Sequence, residues 1–102
     1  MKSLDEVVAV PRYVVVRNNQ SGVWFGELRS EEGAPLTKLS NARRAWSWEG
    51  ALSCSGLANH GPTGGQIDAP VLLVAMRAEH DVEHIEARPE AVAAWAAVPS
   101  AQ

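Results

Sequence analysis

The chain has 102 residues, 46% of them hydrophobic, which suits one small domain with a thin core. Its formal charge of −3 disfavours a general nucleic-acid coat, because phosphate binding calls for net basic surface. A single cysteine, Cys54, excludes an internal disulfide and fits a reducing cytoplasm. No run approaches the roughly 20 apolar residues of a membrane-spanning helix.

In chain order, the early apolar run is interrupted by Asp5 and Glu6, so no signal peptide is expected. Residues 1–10 are expected to be loosely ordered, 11–98 to form the core of one domain and 99–102 to be a tail. "RYVVVRN" (Arg12 to Asn18) is β-branched and aromatic and predicts a strand. "NNQSG" (Asn18 to Gly22) is turn chemistry, and "VWFGELRS" (Val23 to Ser30) predicts a second strand, making an antiparallel hairpin. Gly26 inside that strand predicts a bulge or a close backbone neighbour. After the turn "EEGAP" (Glu31 to Pro35), "LTKLS" (Leu36 to Ser40) reads as a short strand.

"NARRAWSWE" fits a strand better than a helix. Period two puts Arg44, Trp46 and Trp48 on one face, with Arg43, Ala45, Ser47 and Glu49 on the other. "ALSCSGLANHG" predicts a helix that stops at Gly61, just before Pro62. Gly56 weakens that helix by roughly 1 kcal/mol and suggests that another backbone approaches there. "PTGGQIDAP" (Pro62 to Pro70) reads as a loop, and "VLLVAM" (Val71 to Met76) as a buried strand. Within "AEHDVEHIEA", apolar spacing allows a helix. "PEAVAAWAAV" (Pro89 to Val98) predicts a short helix with proline in its first turn and Ala91, Val92 and Trp95 on its apolar side.

The residues richest in chemistry are Arg43, Arg44, Trp46 and Trp48. An indole stacks on a base for about 1–3 kcal/mol, and a guanidinium fork grips phosphate with two parallel hydrogen bonds. The amides that open the following helix, near Gly50, Ala51 and Ser53, could face an anion. His60, beside the glycine-rich loop, could donate to a ligand. The competing reading makes the tryptophans core residues, with the arginines stacked on them or paired with Glu27 and Glu49. Both readings stand at this point.

Other motifs carry less. "HDVEH" (His80 to His84) matches a zinc-peptidase spacing but lacks a third ligand, and it reads as a solvated polar face. Cys54 lacks a suitably spaced base and reads as a small buried residue. "GPTGG" (Gly61 to Gly65) lacks the Lys-Ser/Thr pair of a phosphate loop and reads as a connector.

The segments "YVVVR…SGVWFGEL" (Tyr13 to Leu28), "NARRAWSWEGALSCSGLANHG" (Asn41 to Gly61) and "VEHIEARPEAV" (Val82 to Val92) resemble a family of short, functionally uncharacterised proteins encoded by bacteriophages and prophages. The similarity covers most of Tyr13 to Val98, whereas Pro62 to Asp81 departs from the family pattern. The resemblance implies phage origin, a small α+β domain, and a closing strand near Val82 to Glu86 rather than a helix. It implies no known reaction.

The expected fold is therefore α+β: a small antiparallel sheet or partly open barrel with one or two short helices. The expected function is non-enzymatic binding or sequestration of a small nucleotide-like, phosphate-bearing ligand in the host cytoplasm, by analogy with phage proteins that sequester nucleotide signals of bacterial immunity. The site would comprise Arg43, Arg44, Trp46, Trp48, Ser53 and His60, with no catalytic residue, metal or cofactor. A homo-oligomer is expected, because small cores gain by pairing. The alternative is a phage structural or host-protein interaction module. A DNA-associated regulator is disfavoured by the charge and by the lack of a helix-turn-helix pattern.

Overall fold

The computed structural model describes residues 11–18, 21–31, 33–77 and 82–101. The expectation for residues 1–10, part of the first turn, and His80 and Asp81 of the "HDVEH" motif fall outside the described residues. The elements run β1 (Tyr13–Asn18), β2 (Gly22–Leu28), β3 (Leu36–Glu49), α1 (Cys54–Asn59), β4 (Gly64–Ile67), β5 (Val71–Arg77), β6 (Val82–Glu86) and α2 (Pro89–Ala97). All strand pairs are antiparallel, in the order β4-β3-β2-β1-β6, and β5 also lies on β3. The expected α+β sheet with short helices is thus the observed one.

β3 organises the sheet. The separate segments expected at Leu36–Ser40 and beyond Asn41 are one 14-residue strand. Its inner edge pairs with β2. Its outer edge takes β5 along Leu36–Ala42 and β4 along Ala45–Glu49, so β4 and β5 behave as one interrupted strand. Asn41 adopts φ 50, a left-handed conformation that asparagine tolerates. Here the β2 register slips between Phe25 and Glu27. Gly26 lies opposite, where a Cβ would sit 3.1 Å from Ala42 Cα and from Ser40 O. The glycine signal in the sequence was therefore a bulge and a close approach at once.

Alternation along the strands builds two cores. One face carries Val15, Phe25, Ala45 and Ile67 beneath Leu57 and Ala58 of α1 and Ala91 and Trp95 of α2. Tyr13, Phe25 and Trp95 form a stack there, with ring centroids 5.8 and 4.7 Å apart. Trp95 is fully buried, and its indole N–H donates to the Leu57 carbonyl at 3.1 Å, tying α2 to α1. The other face holds Val14, Val16, Leu39 and Ala42, with Trp24, Val74 and Met76 packed against them. Two contacts curl the sheet around this second core. Thr37 Oγ1 lies 2.9 Å from His84 Nε2, joining β3 to β6, and Asn18 Nδ2 donates to Met76 Sδ at 3.2 Å, joining β1 to β5.

Three local expectations need correction. The supposed loop Pro62–Pro70 contains β4, because Gly65, at φ 134, lies so close to Ser47 and Trp48 that no side chain would fit. "VLLVAM" is a strand but is not buried: Val71, Leu72 and Leu73 are exposed, since β5 lies on the sheet's margin. A Cβ on Gly56 would meet the Ala51 Cβ first, at 3.1 Å, so its closest neighbour is a side chain rather than another backbone.

At the helices the sequence signals hold. α1 ends at His60, and Gly61 follows with φ 77. A Cβ on Gly61 would meet Ala94 Cβ at 2.6 Å and Ala91 O at 2.9 Å, so the same glycine ends α1 and admits α2. Gly61→Ala is expected to combine left-handed strain with overpacking and to cost about 3 kcal/mol. Thermal unfolding followed by circular dichroism checks this: the midpoint falls by about 10 °C or more, and an unchanged midpoint contradicts it.

Candidate functional site

The two adjacent arginines of β3 point to opposite faces and meet opposite fates. Arg43 is buried under α2. Its Nη1 donates to the carbonyls of Trp95 at 2.6 Å and Val98 at 2.9 Å, and its Nε donates to that of Asp68 at 2.8 Å. Nη2 makes longer contacts with Ile67 O at 3.4 Å and Ser100 Oγ at 3.5 Å. One guanidinium thus satisfies carbonyls at the end of α2 and at the junction of β4 and β5. Burial pulls its pKa below the usual arginine value, and the Asp68 carboxylate works against that shift. It stays protonated, as arginine does in proteins. A recess of about 490 Å³ passes over Arg43 beside Tyr13, Val92 and Val98, but the donors of Arg43 are turned toward the carbonyls.

Arg44 lies on the other face, directly across from Trp24 of β2. Its guanidinium carbon is 4.1 Å from the centroid of Trp46 and 5.5 Å from that of Trp24. The cation is therefore held between two indoles, one on each strand. The Trp24 N–H donates to Ser21 Oγ at 3.1 Å, and the Trp46 N–H to Asp68 Oδ2 at 3.0 Å, so both rings are oriented. Trp46 remains 60% exposed. Among the described residues Arg44 forms no ion pair; those seen are Arg12–Glu86, Arg17–Glu83 and Arg29–Glu27. Of the competing reading, the stacking of an arginine on tryptophan is present at Arg44, whereas no pairing of Arg43 or Arg44 with Glu27 or Glu49 is found among the described residues.

The structure does not gather all six expected site residues. Arg44 and Trp46 are together, and Trp24 completes their stack. The shared face expected for Trp48 is lost at a second register slip, between Ala45 and Ser47, which turns Trp48 toward the helix-covered core. Ser53 is the N-cap of α1, and its Oγ accepts from the Gly56 N–H at 3.2 Å. A six-residue helix capped by its own serine offers little to an anion. His60 is exposed at the opposite end of α1, where its backbone N–H donates to the Gly56 carbonyl at 2.8 Å. Sequence reasoning missed Trp24. The signal was its alternation in β2, which becomes readable only with the cross-strand register to Arg44.

Elsewhere, a cleft of about 430 Å³ opens at one end of the curled sheet, lined in part by Arg12, Thr37, Val82, His84 and Glu86. Hydrogen bonds from Arg12 hold the Glu86 carboxyl below its usual range. Cys54 is half-buried against the first core, and burial pushes its thiol up, which lowers the thiolate fraction needed for nucleophilic attack. Among the described residues, no cluster of three or more His, Cys, Asp or Glu could hold a metal ion. No helix among them is long and apolar enough to cross a membrane.

Fold and site define a small α+β protein whose antiparallel sheet presents an arginine between two tryptophans. Residues 11–95 match the DUF6948 family, a domain of unknown function, and the chain belongs to that family. Compared with curated proteins and with solved structures, it matches none.

The geometry of Arg43 leads to a stability prediction. Replacing it with methionine removes the donors and leaves buried carbonyls unsatisfied, at about 1–3 kcal/mol each. Arg43→Met is expected to destabilise by about 3 kcal/mol or more in urea unfolding, and Arg43→Lys to recover only part, because an ammonium lacks the planar fork. A methionine variant as stable as the parent would refute the clamp.

Proposed function

We propose that the protein is a non-enzymatic binding protein that sequesters a small nucleotide-like, phosphate-bearing ligand on the Trp24–Arg44–Trp46 stack. The reading is supported chiefly by one observation. Trp46 is 60% exposed while ordered by a hydrogen bond, and it lies against a cation that has no carboxylate partner among the described residues. A tryptophan held with its ring exposed stacks on a base at low conformational cost. The guanidinium edge beside it supplies paired donors for a phosphate. Asp68 sits on the indole N–H and repels an anion there, so the phosphate lies toward Arg44 and away from β4. The arrangement is a surface platform rather than an enclosed pocket. Arg43, Trp48 and Ser53 support it through the fold, not by contact.

The similarity to short phage and prophage proteins extends the reading to a phage-encoded sponge acting in the host cytoplasm against nucleotide signals of bacterial immunity. Isothermal titration calorimetry with cyclic and ADP-ribose-type nucleotides tests it. One panel member is expected to bind tightly. Arg44→Ala abolishes the heat, and Trp46→Ala weakens binding about tenfold or more, from the loss of one stacked base. Both variants keep the parent circular dichroism spectrum. Silence across the panel would overturn the ligand.

A second reading has its own observation. The exposed apolar residues Val71, Leu72 and Leu73 favour a structural or protein-interaction module. In that case Arg44→Ala changes no small-molecule binding, because none exists.

A further inference from the structure

β3 grips Asp68 at three points. The Asp68 backbone N–H donates to the Arg44 carbonyl at 2.9 Å, and its own carbonyl accepts from Arg43 Nε at 2.8 Å. Its side-chain Oδ2 accepts from the Trp46 indole at 3.0 Å. Backbone and side chain are thus both anchored, and the direction of the second oxygen, Oδ1, follows from them. Among the described residues no hydrogen bond or ion pair reaches Oδ1. An ionised carboxylate has about four acceptor positions, and the indole fills one. Holding the ring does not by itself call for a charge. An asparagine in this place would accept from the indole as well, and it would repel no phosphate drawn to Arg44. A fixed anion at the rim of a stacking surface therefore suits a second task, which is to accept hydrogen bonds from whatever lies on the ring.

We infer that Asp68 is the specificity-determining residue of the platform, and that it selects guanine as the base stacked on Trp46. The inference rests on the ligand reading proposed above and narrows its substrate class to guanine nucleotides. Arg44 covers one face of the Trp46 ring, which is still 60% exposed, so the base takes the opposite face. One edge of that base then lies beside the indole N–H and the carboxylate that holds it. The carboxylate accepts and cannot donate, so it favours an edge made of N–H groups. Guanine presents two adjacent donors, the ring N1–H and the 2-amino group, and a carboxylate takes both in paired, charge-assisted bonds. Adenine offers a single amino group flanked by ring nitrogens, whose lone pairs the carboxylate repels. Uracil offers one N–H between two carbonyls, which it repels as well. The same charge turns the phosphate toward Arg44, so one residue sets both the identity and the direction of the ligand.

Calorimetry with one matched series tests the selection: the 3′,5′-cyclic monophosphates of guanosine, inosine and adenosine, which differ only in the base. The guanine form is expected to bind about tenfold or more tighter than the adenine form, with hypoxanthine, which lacks the 2-amino group, between them. Asp68→Asn separates selection from support. Its amide oxygen still accepts from Trp46, while its amino group meets the guanine donors head-on. The guanine form is therefore expected to fall to about the adenine level, with adenine binding and the circular dichroism spectrum unchanged. Equal weakening of all three ligands in Asp68→Asn would show that the residue only positions Trp46, and would overturn the inference. Equal affinities in the parent, a preference for adenine, or silence from all three beside a bound ADP-ribose-type nucleotide would overturn base selection and leave the platform standing. Silence across the whole nucleotide panel would overturn both.

Discussion

The buried guanidinium of Arg43 fastens separate parts of the molecule together. It reaches the carbonyls of Trp95 and Val98, which end α2, and that of Asp68, where β4 gives way to β5. Each charge-assisted bond contributes more than a neutral one, about 1.5–3 kcal/mol, and the carbonyls replace the water that arginine loses on burial. The first core depends on this anchor. Trp95 closes that core by stacking on Phe25 and by donating to Leu57, and its own carbonyl is held by Arg43. Removing the guanidinium would loosen α2 and the β4–β5 junction together.

The same strand that buries one arginine displays the next. Successive residues of a strand point to opposite faces. With Arg43 committed to the helix-covered face, Arg44 must emerge on the other, opposite Trp24. The bulge near Trp46 then returns Trp48 to the core, so only Trp46 stays exposed beside Arg44. The candidate site is thus a by-product of how β3 is anchored: a rigid strand presents the cation, two fixed rings confine it, and the buried neighbour holds the strand in place. Functional side chains on such strands are positioned more sharply than those on loops.

Much of this was legible in the sequence, and the failures have physical causes. β1, β2 and α2 follow from β-branched runs, turn residues and Pro89, and Gly26 and Gly61 announced a bulge and a helix stop. The placement of β6 rested on family similarity, because apolar spacing alone also allowed a helix. β4 was hidden because "GGQI" carries glycines for close approach rather than strand-forming side chains. β5 was misjudged as buried because an apolar run is the same whether it lies in a sheet's middle or on its margin. For the site, composition identified the arginines and indoles, while register decided their roles. Period two separates Arg43 from Arg44 but cannot say which face the helices cover. One inserted residue near Trp46 reversed the placement of Trp48, and Trp24, distant in sequence, joined the site through cross-strand pairing.

The account rests on an asymmetry between two neighbouring side chains. Nuclear magnetic resonance of arginine side-chain N–H groups measures it directly, by hydrogen exchange assigned with single substitutions. Arg43 is expected to give protected, slowly exchanging guanidinium protons. Arg44 is expected to exchange at near-solvent rates in the free protein. Protection at Arg44 with rapid exchange at Arg43 would contradict both the anchor and the exposed platform built on it.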